Sequence, residues 1–333
     1  MENSVKVSVC VSVHNTSKLL PRCIDSIINQ TFEDLEIVLV NNGSTDNSEA
    51  IMYDYKAKYP QRRIKVISQE DRGLAQGRQS GVNNAEGEYI AFLDADDLLL
   101  SQAIEKMYYT AINEQADIVE IQTRRDDKII SSKFVGKQNS HNVLRRLFMG
   151  DSNIPWMLWL RLYRRTLFKK PVLPKLYTNN EDNFALPCLL YNASGVYFIK
   201  EPLHEYSTDN DDSVMKRMKE DVNYASRYYN ARLTALKSIN HIKEYIGESV
   251  IESEYPKEFH SFMARIAVNF IFTGFVGVSC REKIKKVGEA YGISENEVVK
   301  FIEANTVYTG VTNRLIHIIG LRNTYNLRKI IHK

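Results

Sequence analysis

The sequence predicts an α/β protein, with a mostly parallel, doubly wound sheet followed by a helical carboxyl-terminal extension. Three observations predict it. Strand-like and helix-like apolar patterns alternate over the first hundred residues. The apolar run 89–93 ends in Asp94, Asp96 and Asp97, three carboxylates within four residues. From Met215 onward the pattern is helical. A β-α-β-α-β-α-β order implies parallel strands joined by right-handed crossovers.

Taken in order, Val5, Val7, Val9, Val11 and Val13 alternate with Lys6, Ser8, Cys10 and Ser12, a period of two that makes a strand. Leu19, Leu20, Cys23, Ile24, Ile27 and Ile28 recur at helical steps, so residues 18–30 form an amphipathic helix, capped by Thr16 or Ser17. Residues 35–40 read as a second strand, 41–46 as a turn, 48–58 as a helix and 64–67 as a third strand. A loop and helix over 73–85 precede the strand at 89–93. Ligands of such sheets bind beyond the carboxyl ends of the strands. That edge gathers His14 and Asn15, Asn41 to Gly43, the loop 71–73, and Asp94 to Asp97.

Carboxylates converging at a strand end suit a hard divalent cation, and Mg²⁺ is commonly held by one or two of them together with substrate phosphates. The plain alternative is a solvated turn that caps a helix begun by Leu98, Leu99 and Leu100. Asn41-Asn42-Gly43 likewise satisfies an ordinary turn, and Glu181 and Asp182 would cap a helix beginning near Phe184.

The chain has 333 residues, 44% apolar and 26% charged, which excludes a disordered or fibrous protein. A formal charge of +3 gives no reason to expect nucleic acid as a partner. No long apolar segment follows Met1 to Lys6, so no signal peptide and a cytoplasmic location are expected. Cys10, Cys23, Cys188 and Cys280 show no C-x-x-C spacing and lie in apolar contexts, as reduced core thiols would. The segment 266–278 is interrupted by Asn269 and falls short of the ~20 residues a bilayer needs, so it reads as a buried helix.

The ordered set Val7-Ser8-Val9 to His14-Asn15, Cys23-Ile24-Asp25-Ser26-Ile27, Asn29-Gln30-Thr31-Phe32, Glu36 to Ser48 and Gly87 to Asp97 resembles glycosyltransferase family 2. The similarity resumes near 159–168, where Trp159 and Leu162-Tyr163-Arg164 resemble a W-x-K-L-Y-R segment with Arg161 at the lysine, and again at Glu181-Asp182. The resemblance implies a GT-A fold and an inverting enzyme using a nucleotide-sugar donor. It implies donor contacts from Ser12, His14, Asn15, Asn42, Gly73, Arg78, Asp94 and Asp96. It also implies a Mn²⁺ or Mg²⁺ held by Asp96 and Asp94 with help from Asp97, and catalysis by Asp182 as base with Glu181 beside it.

Several positions depart from the family pattern. His14 stands where tyrosine is usual, Asn41 and Asn42 where acids are, and Gln79 where asparagine is. A UDP-sugar is the expected donor, with GDP-, dTDP- and CDP-sugars left open. Arg78 is expected at the diphosphate, against a nearby carboxylate, or exposed on its helix without a partner, and Trp156 and Trp159 either at the acceptor or in the core. His204 reads as an exposed loop residue without a catalytic part, ahead of a polar run over 208–213 that closes over the donor in similar enzymes.

Residues 1–215 are expected to form the catalytic domain, with 1–100 binding the nucleotide sugar and 101–215 the acceptor, and 216–333 a helical region. Within that region helices are expected over 218–239, 242–246, 258–278 and 294–303. Residues 311–333 form a basic amphipathic pattern that would either lie on an anionic membrane surface or dock on its own domain, with a homo-oligomer left open. The expected acceptor is a glycan or lipid-linked saccharide, in capsule, O-antigen or other surface polysaccharide synthesis. Two other classes remain: a sugar-phosphate nucleotidyltransferase, against which His14-Asn15-Thr16-Ser17 offers no glycine, and a catalytically silent binding protein, against which all four of Asp94, Asp96, Asp97 and Asp182 stand.

Overall fold

A computed structural model describes residues 4–175, 181–210, 239–272 and 278–305, and the single positions Tyr229, Leu233, Leu236, Ile316, Leu321, Asn323 and Thr324. The expected helix over 218–239 lies almost wholly outside these residues. So do Asn179, Asn180, the end of the polar run at 211–213 and nearly all of the basic segment 311–333.

The first unit comprises residues 1–143 and 152–213. Its described strands form one mixed ten-stranded sheet. β1 (Val7–Val13), β2 (Leu35–Asn42), β3 (Arg63–Gln69) and β4 (Tyr89–Asp94) are parallel and lie in the order β3-β2-β1-β4. β1 and β2 are buried on both faces, which is why their runs are almost continuously apolar. Between them runs α1 (Leu20–Ile28), which turns Leu20, Cys23, Ile24, Ile27 and Ile28 inward. It starts two residues later than expected and without a side-chain cap. Pro21 presets the first turn, and the backbone N–H of Thr16 is taken up by Ser48 Oγ at 3.0 Å.

α2 (Ser48–Lys58) links β2 to β3, and α3 (Leu74–Asn84) links β3 to β4. A Cβ on Gly77 would stand 2.1 Å from Ser12 Oγ, so glycine there lets α3 lie directly on β1. This close approach carries Arg78 to the end of β4. Gly73, with φ +78°, opens α3 in a backbone conformation that suits glycine.

Beyond β4 the sheet changes character. Leu98–Leu99 is a short strand, β5, antiparallel to the end of β10 (Gly195–Glu205), and the next helix, α4, covers Ala103–Asn113. The acids of 94–97 therefore cap no helix. β6 (Ile118–Arg125) and β7 (Lys128–Ile130) make a hairpin. β8 covers Gly136–Asn139, and β9 (Arg161–Arg164) enters antiparallel between β4 and β6, with β10 parallel to β6 on its far side. α5 covers Ser140–Phe148, and α6 covers Asp182–Asn192.

The second unit comprises 144–151 and 214–333. Its described helices include Glu248–Glu254, Pro256–Phe272, Cys280–Tyr291 and Glu295–Asn305, with 239–246 helical as well. Phe148, Tyr255, Phe259 and Phe262 form its aromatic centre, with Phe148 and Phe259 ring centroids 5.3 Å apart. The helix at Cys280 escapes the apolar pattern but carries clear end signals: Ser279 accepts from the Glu282 N–H at 3.1 Å, and Gly292 closes it with φ 69°. Cys10, Cys23 and Cys188 are buried free thiols as expected, whereas Cys280 is half-exposed. No described helix is long and apolar enough to cross a membrane.

Candidate active site

The carboxyl ends of β1, β2 and β4 meet at one edge of the first unit, where Ser12 lies beside Val40 and Asp94. Arg78, 4% exposed, stands at the centre of this edge. Its Nη2 donates to Asp94 Oδ1 at 2.8 Å, and its Nη1 to Asp182 Oδ1 at 3.0 Å and to Glu181 Oε1. Its guanidinium also lies 5.8 Å from the centroid of Phe92. The D-x-D-D strand and the Glu-Asp pair, far apart in sequence, are thus joined by one cation. Of the three readings of Arg78, the structure shows the carboxylate partner.

Burial, partly offset by Arg78, pushes the Glu181 carboxyl up to about 8 and raises Asp182 as well. Glu181 is 1% exposed, while Asp182 keeps 24% of its side chain open. Asp182 Oδ1 also accepts from the Leu158 N–H at 3.3 Å. Neither acid caps α6 with its side chain.

The three strand-end acids differ from one another. Asp94, 29% exposed at its side chain, faces Arg78. Asp96 is pushed up to about 6 by burial and by the neighbouring Asp94 and Asp97, and its Oδ2 accepts from Asn210 Nδ2 at 2.6 Å. Asp97 turns inward and is 1% exposed; its Oδ1 accepts from the Ser207 N–H at 2.7 Å, and its Oδ2 lies 3.4 Å from His204 Nε2.

His204 corrects an expectation, because it is fully buried on β10. Thr123 Oγ1 donates to the Arg124 carbonyl at 3.4 Å and lies 2.8 Å from His204 Nδ1. Among the described residues neither His204 Nε2 nor Asp97 Oδ2 has a hydrogen-bond partner, so the two buried atoms face only each other. Burial holds His204 neutral, down at about 4, and pushes Asp97 up to about 8, in agreement with that arrangement. Trp159, 6% exposed, stacks on the imidazole at 4.3 Å between centroids and 20° between planes.

The fit to a divalent cation follows from this donor set. Among the described residues no three His, Cys, Asp or Glu side chains converge as a protein-only cage. Asp94 and Asp96 supply two hard oxygens in a locally over-negative corner, which suits an ion completing its shell from a diphosphate and water. The expected third ligand, Asp97, is instead committed to Ser207 and His204.

At the other end of the edge, Asn42 is 3% exposed and saturated. Its Oδ1 accepts from Gln69 Nε2 at 2.7 Å and the Arg72 N–H at 3.4 Å, and its Nδ2 donates to Asp71 Oδ1 at 3.2 Å and the Gly73 carbonyl at 3.3 Å. It fixes the loop after β3 and has no bond left for a base. Asn41 Oδ1 accepts from the Ser44 N–H, and Asn15, at φ 51°, accepts from the Thr45 N–H at 2.7 Å. His14 is exposed and donates from Nδ1 to the Asn42 carbonyl at 3.0 Å. The open acid here is Asp71, which the sequence offers only as part of a loop. Arg22, whose Nη2 donates to the Asp96 carbonyl at 3.2 Å, and Asn210 were also not legible as site residues.

Residues 8–175 match the family model described as Glycosyl transferase family 2. The putative glycosyltransferase EpsH of Bacillus subtilis (strain 168) is 31% identical over 255 residues, covering 73% of this chain and 72% of that protein. EpsJ of the same organism, an uncharacterized glycosyltransferase, is 32% identical over 173 residues, 49% of each chain. Among solved structures, S. aureus TarS has a TM-score of 0.64 at 18% identity, covering 96% of this chain and 54% of that one. TarS 1-349 in complex with UDP has a TM-score of 0.63 at 16% identity, covering 98% and 91%. The likeness to TarS is one of fold.

Proposed function

Because the chain belongs to glycosyl transferase family 2 and is a glycosyltransferase with a nucleotide-sugar donor, we propose that it works by a single inverting displacement at the Arg78-centred edge. The observation that carries this reading is the guanidinium shared by Asp94 and Asp182. It sets the diphosphate corner beside a partly open carboxylate of raised pKa.

In this reading Asp182 takes the proton of the acceptor hydroxyl as its oxygen forms a bond to the anomeric carbon, and the bond from that carbon to the diphosphate oxygen breaks on the opposite face. A carboxylate raised by burial is the better base for this task. Glu181 stays behind Arg78 and keeps the cluster from carrying a full extra charge. Asp94 and Asp96 would hold a Mn²⁺ or Mg²⁺, which when bound supplies charge for the leaving nucleoside diphosphate.

The donor we favour is a UDP-sugar, as in TarS, which has been solved with UDP and with UDP-GlcNAc. Asp71, in place of an acid at position 42, is the side chain we assign to the base. The acceptor is read as a glycan or lipid-linked saccharide of a bacterial surface polysaccharide, with a peripheral position on the inner face of the membrane.

Thermal unfolding with UDP, GDP, CDP and dTDP, each with and without Mn²⁺, tests this. A ligand at 100 times its dissociation constant adds about 2.7 kcal/mol to the folded state. The expected result is a Mn²⁺-dependent rise with UDP. A rise with another base alone would move the donor, and no rise with any would overturn the reading.

A further inference from the structure

Glu120 and Arg161 touch none of the groups assigned to the reaction. They face each other across the β6–β9 ladder, both are 2% exposed, and Arg161 Nη2 lies 2.5 Å from Glu120 Oε2. A buried ion pair gives up hydration that its own attraction seldom more than offsets, so it is a poor stability device taken alone. Its other bonds point to a different job. Nη2 also donates to the Pro155 carbonyl at 2.6 Å, and Nη1 to the Met157 carbonyl at 2.7 Å. The segment so held leads straight into the 3₁₀ turn Leu158–Leu160, and the Tyr163 hydroxyl donates to the Leu158 carbonyl at 3.1 Å. A planar fork fixes two carbonyls at a set spacing, which a single ammonium does not.

The turn has two outputs. The Leu158 N–H bonds Asp182 Oδ1, and Trp159 stacks on His204, which faces Asp97. Among the described residues both donors to Asp182, Leu158 N–H and Arg78 Nη1, fall on Oδ1, so Oδ2 is the oxygen left for an incoming hydroxyl.

We propose that Arg161, anchored by Glu120, is a positioning residue: through the 155–159 segment it sets which oxygen of Asp182 faces the acceptor and holds Trp159 over the His204–Asp97 pair. This rests on the reading of Asp182 as base. Arg161 acts through the backbone it holds and does not contact substrate.

The test uses the full chain. Release of nucleoside diphosphate to water is followed with UDP-, GDP-, CDP- and dTDP-linked sugars and Mn²⁺, and the donor that turns over is kept. Arg161→Lys retains the charge opposite Glu120 but cannot hold both carbonyls. It is expected to lower kcat about tenfold or more while the donor KM stays within about threefold, at a temperature where unfolding curves show it folded. Tyr163→Phe, which removes the hydroxyl bond to Leu158 and the hydroxyl's contact with Arg161, is expected to lower kcat in the same direction by a smaller factor, and it carries the test if the lysine variant does not fold.

Asp182→Asn separates the two claims. If no donor turns over, or if Asp182→Asn turns over like the wild type, the reading of the site fails and this proposal with it. If Asp182→Asn is dead while Arg161→Lys and Tyr163→Phe keep wild-type kcat, or lose rate only through a raised KM, the base stands and the positioning role is overturned.

Discussion

Nη1 of Arg78 lies 3.0 Å from Oδ1 of Asp182, a bond that ties helix α3 to the first residue of helix α6, 104 positions away. The same guanidinium bonds Asp94 and Glu181. Removing it would leave three neighbouring acids without their common cation.

Arg78→Met is therefore expected to destabilise the protein by about 3–5 kcal/mol, the range for breaking a buried pair, and to abolish turnover. Arg78→Lys keeps the charge without the fork, and a smaller loss of stability with strongly reduced kcat is expected. Urea unfolding midpoints and single-turnover rates check both; a wild-type midpoint in Arg78→Met would show that the acids do not depend on it.

Glu181 gives a pH signature. Its folded carboxyl is pushed up to about 8, against 4.5 for an ordinary one, so the folded state holds a proton that the unfolded state has released. The stability this contributes is fully present below about 4.5 and is lost as pH rises through about 8. The melting temperature of the ligand-free wild type should fall between pH 5.5 and 8.5, and Glu181→Gln should fall less over the same range. Parallel curves would mean that Glu181 is ionised throughout.

Asn42 and Asp71 make a complementary pair, amide donor to carboxylate, at 3.2 Å. Asn42→Asp puts two carboxylates against each other and removes both amide donors, so a loss of roughly 1–3 kcal/mol and weaker nucleotide binding are expected. Adding Asp71→Asn should restore much of both. A double variant as poor as the single one would show that the pair is not interchangeable.

The strand-end acids should separate on metal titration. Asp96→Asn is expected to remove the Mn²⁺-dependent part of the thermal shift with nucleoside diphosphate. Asp97→Asn should keep it, because an amide imitates the protonated carboxyl that faces His204. Equal loss in both variants would return Asp97 to the metal.

The first hundred residues were legible because buried parallel strands and the amphipathic face of α1 are written in short-range periodicity. The acids at the end of β4 and the Glu-Asp pair could be named for the same reason, each lying in one short stretch of chain. Their meeting at Arg78 could not, since nothing local links position 78 to 181. His204 was misread because Glu201, Pro202 and Glu205 break the apolar pattern, and β10 itself is irregular between Phe198 and His204. The short β9 is flanked by arginines and paired only with distant strands, so its charge hid its burial. Asn42 was recognised as a departure, but its saturation by Gln69, Arg72, Asp71 and Gly73 is a property of the folded loop.

β9 also divides the sheet into two parts. β4 reaches the strands on the far side of β9 where Tyr89, Ile90 and Ala91 meet Arg164, Tyr163 and Leu162, while its other edge runs beside β1 along almost its whole length. Insertions or deletions between β4 and β9 can therefore accumulate without shifting the register that carries Asp94.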